Sequence, residues 1–351
     1  RVCRAMSAKR RFKRLGLALA GGVLVGLIAL THALITLHHS ALVDAQARAS
    51  SQTPVITVAP GASFTEVATN LADRGLLEQP LLLRLWARWQ GYAERLHVGD
   101  YALSAGLSAT DLVKKMARGE IIESTFTIVE GWTVTELLAA VRAHPDLAQS
   151  LDPAASPQAL MAAIGRPGQP AEGQFLPETY HFPKGSDDIE LLKRANRALE
   201  RALEAAWQAR QPNLPLSNPQ DALTLASIIE KETALASERR RISGVFTRRL
   251  EQGMRLQTDP TVIYGLGADF DGDLRRRDLR TDTPWNTYTR SGLPPTPIAL
   301  AGIASIRAAV NPAEGDSLYF VSRGDGSHVF SATLAAHNAA VRRYQLGIED
   351  D

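Results

Sequence analysis

The sequence contains very little cysteine: of its 351 residues only Cys3 is one. A chain with one cysteine cannot form an internal disulfide, so its stability must come from packed cores. The sequence also has no His-Glu-x-x-His, paired Cys-x-x-Cys or Gly-Lys segment. The usual signatures of zinc proteases, zinc ribbons and phosphate-binding loops are therefore missing, and we expect no metal and no other cofactor.

Acidic residues are missing from the start of the chain, where basic residues are concentrated. Seven of the 39 Lys and Arg residues precede Asp44, the first acidic residue, so the rest of the chain has 32 basic against 37 acidic residues. The body of the protein is mildly acidic and lacks the basic surface that a nucleic-acid backbone requires. We expect no nucleic-acid partner.

An apolar run of 23 residues, Leu15 to Leu37, follows the basic tail and contains no Lys, Arg, Asp or Glu. At about 1.5 Å per residue, a helix of this length crosses a hydrocarbon core of roughly 30 Å. A cleaved signal peptide is the alternative, but its apolar region is normally only about 7 to 15 residues long. Because basic flanks stay in the cytoplasm, we predict a single-pass helix in the inner (cytoplasmic) membrane, with residues 1–14 as cytoplasmic tail and residues 38–351 on the other side.

Three segments repeat the pattern Gly-x-Ser/Thr-x-Thr-Glu/Asp-Val/Leu, and each follows a strand-like run. In each copy the glycine lets the chain leave the strand, and the Ser or Thr can cap the next helix. The acidic residue three positions later can complete a capping box. We therefore predict strand-to-helix turns with N-caps at Ser63, Ser108 and Thr133.

The first two copies enclose a compact unit at residues 54–122, after a polar linker at 38–53. This unit resembles LysM-type glycan-binding modules, in which a similar turn follows the first strand. Residues 123–351 mix helical and strand-like patterns and form a larger domain. The sequence thus predicts an α+β protein with one N-terminal transmembrane helix, a small LysM-like α/β module and a larger mixed α/β domain.

The segment IIEKETALASER, residues 228–239, contains three glutamates in an otherwise helical pattern. At 100° per residue, Glu232 falls near the middle of an apolar face that continues to Leu235. Glu230 points away from this face, and Glu238 lies beyond a predicted helix cap at Ser237. Burial raises the pKa of a carboxyl group toward the range that a general acid needs, so periodicity nominates Glu232. Periodicity leaves open the alternative that Glu232 is a buried structural residue whose charge is balanced by an arginine or a backbone amide.

Two loops, residues 256–261 and 285–289, place hydrogen-bonding side chains beside prolines or aromatic rings. Such loops suit sugar recognition, although turn chemistry produces similar segments. His328 and His337 are nine residues apart, which is not a zinc-ligand spacing. The Arg-Gly-Asp-Gly-Ser segment at 323–327 is interpreted as a hairpin turn.

The run from Ala226 to Gly267, together with the later segments NTYTRSGLPPTPIALAG and LYFVSRGDGSHVFSATLAAHN, closely resembles the YceG-like family of endolytic peptidoglycan (murein) transglycosylases. The resemblance covers essentially the whole chain. It implies cleavage of the β-1,4 bond between N-acetylmuramic acid and N-acetylglucosamine in nascent glycan strands, with a 1,6-anhydro end that terminates strand elongation. The implied partners are peptidoglycan glycan strands and peptidoglycan synthases (penicillin-binding proteins) at the membrane.

The resemblance also assigns residues to the site. The family's catalytic glutamate is the second Glu of a Glu-Lys-Glu-Thr motif, which is Glu232 here. Trp285 stands where the family often has a tyrosine, so an aromatic residue is retained. Seven further motif positions are expected to bind substrate around the cleft: Gln257, Thr258, Asp259, Tyr264, Asn286, Thr287 and Tyr288.

Two alternative functions stay open from the sequence. The first is a peptidoglycan hydrolase in which Asp259 supplies the second carboxylate that ordinary glycosidases use. The second is a non-catalytic, membrane-anchored scaffold that binds glycan. In the scaffold, Glu232 would be salt-bridged to one of the arginines at 239–241.

Overall fold

The structure is a computed structural model that describes residues 2–40, 42 and 54–348. The chain divides into two compact units, residues 1–124 and 125–351. The domain boundary predicted from the sequence lies two residues earlier, and most of the predicted linker at 38–53 falls outside the described residues. Helices and strands are mixed along the chain, as the predicted fold class requires.

The first unit has two strands and four helices among its described residues. β1 and β2 pair antiparallel, with Val55 opposite Ala102 and Val58 opposite Gly99. The helices pack around this pair and enclose one apolar core. In chain order the elements are α1 (Val2–His39), β1 (Val55–Val58), α2 (Phe64–Asp73), α3 (Pro80–Trp89), β2 (Gly99–Ala102) and α4 (Ala109–Arg118).

The N-terminal helix α1 contains one segment, Gly21–His39, that is long and apolar enough to cross a membrane, judged by length and composition alone. Its mean hydropathy is 1.7. The end of α1 packs on the other elements of the first unit, because Leu37 belongs to that unit's core. Leu42, just beyond the helix, belongs to the same core. The backbone N–H of Leu42 also donates to the carbonyl of Leu107 (2.9 Å).

All three N-caps predicted from the repeat are confirmed. The side chain of each cap residue accepts the backbone N–H three positions later, and the glycine before each cap has a positive φ of 78° to 81°. At Ser63 and Thr133 the following glutamate returns a bond to the cap's own N–H, which completes the capping box. At Ser108 the shorter Asp111 side chain accepts from the Ser108 hydroxyl instead (2.9 Å).

The described residues of the second unit, with the strand that leads into it, form three strand pairs. β3 pairs with β5, β4 runs parallel to β6, and β7 and β8 form the predicted antiparallel hairpin around the Gly-Asp-Gly turn. Its elements are β3 (Glu123–Thr127), α5 (Val134–Ala143), β4 (Leu147–Ala148), α6 (Pro157–Ala163), β5 (Thr179–Pro183), β6 (Ser186–Asp187), α7 (Asp188–Gln208), α8 (Pro219–Glu232), α9 (Arg239–Glu251), α10 (Asp259–Leu266), α11 (Arg276–Arg280), α12 (Ile303–Val310), β7 (Tyr319–Ser322), β8 (His328–Ser331) and α13 (Leu334–Gln345).

Helix α8 is the central helix of the second unit. Pro219 occupies its first turn, the Asn218 side chain caps it, and every residue from 222 to 229 is buried. It packs against α7, α9 and α12. The buried Ser227 hydroxyl accepts a hydrogen bond from the Ile298 backbone N–H (3.0 Å), which attaches the segment before α12 to the helix. Glu232 is therefore carried by a fixed element.

The prediction that this helix continues to Leu235, with a new cap at Ser237, is wrong. Helix α8 ends at Glu232, and Leu235 is 38% exposed. Thr233 has an extended backbone, and its hydroxyl accepts the Leu235 N–H (3.0 Å). This local bond competes with the helical pattern, a common property of threonine. The next helix, α9, has Glu238 at its N-cap position without a capping side-chain bond.

Candidate active site

A cleft of about 500 Å³ opens in the second unit at the C-terminal end of α8. Its walls come from the last residue of α8, the segment 256–259, and Tyr288, and from the β7–β8 hairpin and α13. Polar side chains supply much of the lining. The predicted site residues that line it are Glu232, Gln257, Thr258, Asp259 and Tyr288.

Glu232 is the carboxyl group at the centre of this arrangement. The Thr258 hydroxyl donates a hydrogen bond to its Oε1. Burial raises the pKa of Glu232 to about 7; the Thr258 bond opposes this shift, and the charge of Asp259 adds to it. The positive charges of His328 and Arg249 favour the ionised form. Near neutral pH both protonation states are accessible, which a group that first donates and later accepts a proton requires.

The turn that carries Thr258 is held by a chain of threonines. Gln257 has φ of 51°, a left-handed conformation that is uncommon outside glycine, and its exposed side chain lines the cleft. The Thr258 N–H donates to the hydroxyl of Thr287 (3.1 Å), and the Thr261 hydroxyl donates to the Thr258 carbonyl (2.7 Å). The Thr261 and Thr287 hydroxyls are 2.9 Å apart. This network fixes the donor that contacts Glu232.

Tyr288 and Asp259 form the second polar pair of the cleft. The Tyr288 hydroxyl donates to Asp259 Oδ1 at 2.6 Å. Burial raises the pKa of Tyr288 above its ordinary value, so the hydroxyl stays protonated and remains a donor. Asp259 is the first residue of α10 and is exposed to the cleft.

Asn286 is fully buried, and its bonds explain its position. Its amide Nδ2 donates to three backbone carbonyls between residues 278 and 281 (2.7 to 3.3 Å), and its Oδ1 accepts the Tyr288 N–H (2.8 Å). Asn286 and Thr287 are not among the described residues that line the cleft. Both hold the backbone on which the cleft side chains stand.

Tyr264 is also outside the described lining of the cleft. Its hydroxyl donates to Glu172 Oε2 (3.2 Å), and its ring packs edge-on against Trp285. Glu172 also accepts the backbone N–H groups of Val134 and Gly173 (3.1 and 3.3 Å), so it satisfies the start of α5. Burial raises the pKa of Glu172 to about 7.

Sequence reasoning missed His328 and Glu238. His328 lines the cleft. Glu238, which is 6% exposed, accepts hydrogen bonds from the backbone N–H and the ring Nδ1 of His328. The sequence suggested a metal-ligand or base role for His328 and gave no indication of its partner; the described residues contain no group of three His, Cys, Asp or Glu side chains that could hold a metal ion. The sequence feature that could have pointed to Glu238 is its position in the same motif as Glu232.

Arg249 is a second residue that sequence reasoning missed. It is 7% exposed, and it donates to the carbonyls of Leu318 and Leu256 (both 2.7 Å) and of Arg255 (3.2 Å). Its guanidinium lies 5.1 Å from the centre of the Tyr319 ring. Arg249 thus ties α9 to the hairpin and to the segment before Thr258, and it places a fixed positive charge beside the cleft.

Glu230 has a structural role. Its side chain is 5% exposed, forms an ion pair with Arg239 (3.3 Å) and accepts the Gly302 N–H (2.9 Å). Arg239, one of the three arginines that the scaffold alternative offers to Glu232, is thus bonded to Glu230. The three glutamates of the motif have separate partners.

A carboxyl group with a pKa of about 7, bonded to a fixed hydroxyl donor, lies in an open polar cleft of a mixed helix–strand domain, and this is the arrangement that general acid–base chemistry requires. A family model described as the YceG-like family matches residues 56–343. The chain belongs to the YceG-like family.

Two named relatives and one solved structure are consistent with membership in this family. An "Endolytic murein transglycosylase" of Bacillus subtilis is 29% identical over 324 residues, 88% of this chain and 89% of the relative. One of the same name from Streptococcus pneumoniae is 27% identical over 76% of this chain and 54% of its own length. The crystal structure of a yceG-like protein from Listeria monocytogenes has 28% identity and a TM-score of 0.52, and the match covers 82% of this chain and 99% of that one.

Proposed function

We propose that this protein is an endolytic murein transglycosylase that cleaves the β-1,4 bond between N-acetylmuramic acid and N-acetylglucosamine inside peptidoglycan strands. The observation that carries the proposal is Glu232: a carboxyl group in a polar cleft, bonded to Thr258, with a pKa of about 7. Relatives that bear the same enzyme name support the reaction class.

The proposed reaction needs one carboxyl group. Protonated Glu232 donates its proton to the glycosidic oxygen, and N-acetylglucosamine leaves as an alcohol while positive charge develops at C1 of the muramoyl sugar. The C6 hydroxyl of the same sugar then bonds to C1, and its proton passes to the Glu232 carboxylate. The product has a 1,6-anhydro ring, no water is consumed, and Glu232 ends protonated as it began.

Residues around Glu232 have separate parts in this proposal. Thr258 donates to Oε1, so the reactive proton is placed on Oε2. Arg249 and His328 contribute positive charge that stabilises the carboxylate formed midway through the reaction. Gln257 and Tyr288 supply amide and hydroxyl groups in the lining, which are suited to sugar hydroxyls.

The hydrolase alternative would use Asp259 to activate water. Oδ1 of Asp259 already accepts the Tyr288 hydroxyl, and the named relatives are murein transglycosylases, so we favour transglycosylation. The two reactions differ by the mass of one water in the products. Digestion of purified glycan strands followed by mass spectrometry of the ends therefore separates them.

The decisive variant is Glu232→Gln, which keeps the size and the acceptor for Thr258 but has no acidic proton to transfer. We expect anhydro ends from the wild type and no cleavage by this variant, with an unchanged circular dichroism spectrum. Hydrolytic ends that disappear in Asp259→Asn would establish the hydrolase. Absence of any product from the folded wild type would favour the scaffold.

We also propose the finer organisation predicted from the sequence. Residues 15–37 would cross the inner membrane with the N-terminus in the cytoplasm, residues 54–122 would form a LysM-like glycan-binding module, and residues 123–351 would be the catalytic domain. The strand–helix–helix–strand order of β1, α2, α3 and β2 supports the LysM-like interpretation. Penicillin-binding proteins at the membrane are the proposed partners. Protease protection of the chain in spheroplasts tests the orientation.

A further inference from the structure

Helix α3 carries a stripe of large apolar residues on its exposed side. Leu81, Leu85 and Trp89 are 62%, 57% and 82% exposed. Residues four positions apart lie on the same face of a helix, so these three side chains form one continuous stripe. The opposite side of α3, including Trp86, packs into the core of the first unit. An exposed apolar patch of this kind marks an interaction surface.

Two arginines border the stripe. Arg84 and Arg88 are exposed and lie one turn apart, directly beside Leu81 and Leu85 on the helix surface. Helix α3 contains no acidic residue. A helix that combines leucine and tryptophan on one side with arginine at the border has the composition of an element that lies on a membrane surface, where arginine contacts anionic headgroups.

The end of α1 indicates the depth at which α3 lies. From Ala33 onward, one side of α1 packs against the first unit: Ala33 and Leu37 are buried. In the same turns, Leu34 and Ile35 are still exposed and apolar. The first unit therefore begins within the last turns of the apolar segment of α1, so no spacer separates it from the boundary of the membrane that α1 would cross.

Helix α3 is one of the elements in contact with this part of α1. The ring of His38 packs edge-on against Trp86 of α3, with 5.6 Å between ring centres. A ten-residue helix is about 15 Å long, so every residue of α3 lies within about 10 Å of Trp86 along its axis. The headgroup layer on each side of a bilayer is about 5 to 8 Å thick. The stripe is thus within reach of that layer.

We propose that Leu81, Leu85 and Trp89 insert into the headgroup layer of the bilayer that α1 crosses, with Arg84 and Arg88 bound to anionic phospholipids. This inference rests on the proposed membrane-spanning role of α1. The contact holds the first unit against the membrane surface at a second point besides the anchor, which fixes its orientation. A glycan strand is a poorer occupant, because two of the three side chains are leucines, which offer sugars no hydrogen bonds and no ring to stack on.

The test uses the full chain in vesicles that contain phosphatidylglycerol. In a Cys3→Ser background, Leu85→Cys is labelled with an environment-sensitive dye. The control label is at Asn70→Cys, on the exposed polar side of α2. We expect the dye at 85 to emit at shorter wavelength than the dye at 70, to be quenched by lipid-borne doxyl groups and to lose quenching by aqueous iodide. Arg84→Gln with Arg88→Gln should remove any difference between phosphatidylglycerol and phosphatidylcholine vesicles.

The possible results distinguish the proposed membrane contact of α3 from the proposed membrane-spanning role of α1. If the chain floats with the vesicles while iodide reaches both dyes equally, the surface contact is wrong and the anchor stands. If the chain does not float, both are wrong. A blue shift that appears only after glycan strands are added, or only at high protein-to-lipid ratio, assigns the stripe to sugar or to a second copy of the chain and overturns the membrane contact.

Discussion

Glu238 binds His328 through both carboxylate oxygens. Oε1 accepts the His328 backbone N–H at 3.0 Å, and Oε2 accepts from the ring Nδ1 at 2.7 Å. A hydrogen bond from Nδ1–H to a carboxylate fixes the orientation of the imidazole ring, and Nε2 takes no part in this contact. The glutamate thus sets both the position and the orientation of a histidine in the cleft wall.

Replacing Glu238 by Gln should lower activity although Glu238 is not among the described residues that line the cleft. The amide can accept only one of the two bonds, so the His328 ring loses its fixed orientation. A hydrogen bond to a charged group contributes about 2 kcal/mol, so we expect a lower melting temperature and kcat reduced about tenfold. Steady-state kinetics on glycan strands and thermal unfolding check this. Glu251→Gln, at the exposed end of α9, is the control and should change neither.

The pH dependence of cleavage should report the Glu232–Thr258 bond. In the proposed reaction the acid form of Glu232 starts the chemistry, so kcat/KM should fall as the pH rises above about 7, the pKa of this group. The Thr258 hydroxyl favours the ionised form, so Thr258→Val should raise the pKa and move the alkaline limb to higher pH. Thr258→Ser keeps the donor and should leave the limb in place. Coincident profiles for the valine and serine variants would refute the assignment.

Asn286→Ala should destabilise the protein because it leaves buried carbonyl groups without a donor. Loss of a buried, multiply bonded amide costs about 2 to 3 kcal/mol, visible as a lower denaturant midpoint. KM of the remaining folded enzyme should be nearly unchanged if the role is to hold the backbone of Tyr288. A large rise in KM with unchanged stability would instead support the sugar contact predicted from the sequence. Gln208→Ala, an exposed amide on α7, is the control.

Glu172 should make the second unit less stable as the pH rises. Burial raises its folded pKa to about 7, above the ordinary value near 4.5. Its contribution to stability is therefore fully present below about pH 4.5 and is lost as the pH rises through 7, a difference of about 3 kcal/mol at most. Glu172→Gln removes this loss, so its melting temperature relative to wild type should increase from pH 5 to pH 8. A constant difference would contradict the shift.

The local features of the fold could be predicted from the sequence, and the partners of the site could not. The caps at Ser63, Ser108 and Thr133 depend on residues three positions apart, which a pattern shows directly. The contact of Glu238 with His328 joins residues 90 positions apart, and only tertiary packing creates it. Helical phase singled out Glu232 on the basis of an apolar face extrapolated to Leu235, but Thr233 ends the helix before that face is complete.

The β7–β8 hairpin has a consequence for the chemistry of a residue far from it in sequence. Tyr319, Phe320 and His328 of the hairpin share the cleft with Glu232, and exclusion of water is the main reason for its raised pKa. A chain that ended before Tyr319 would keep Glu232 on a buried helix and keep Thr258 nearby. The hairpin would no longer shield the carboxyl from water on that side, so the pKa of Glu232 should fall toward the ordinary value of a glutamate. The protonation state of Glu232 thus depends in part on residues near the C-terminus, which lie outside the sequence motif that contains Glu232.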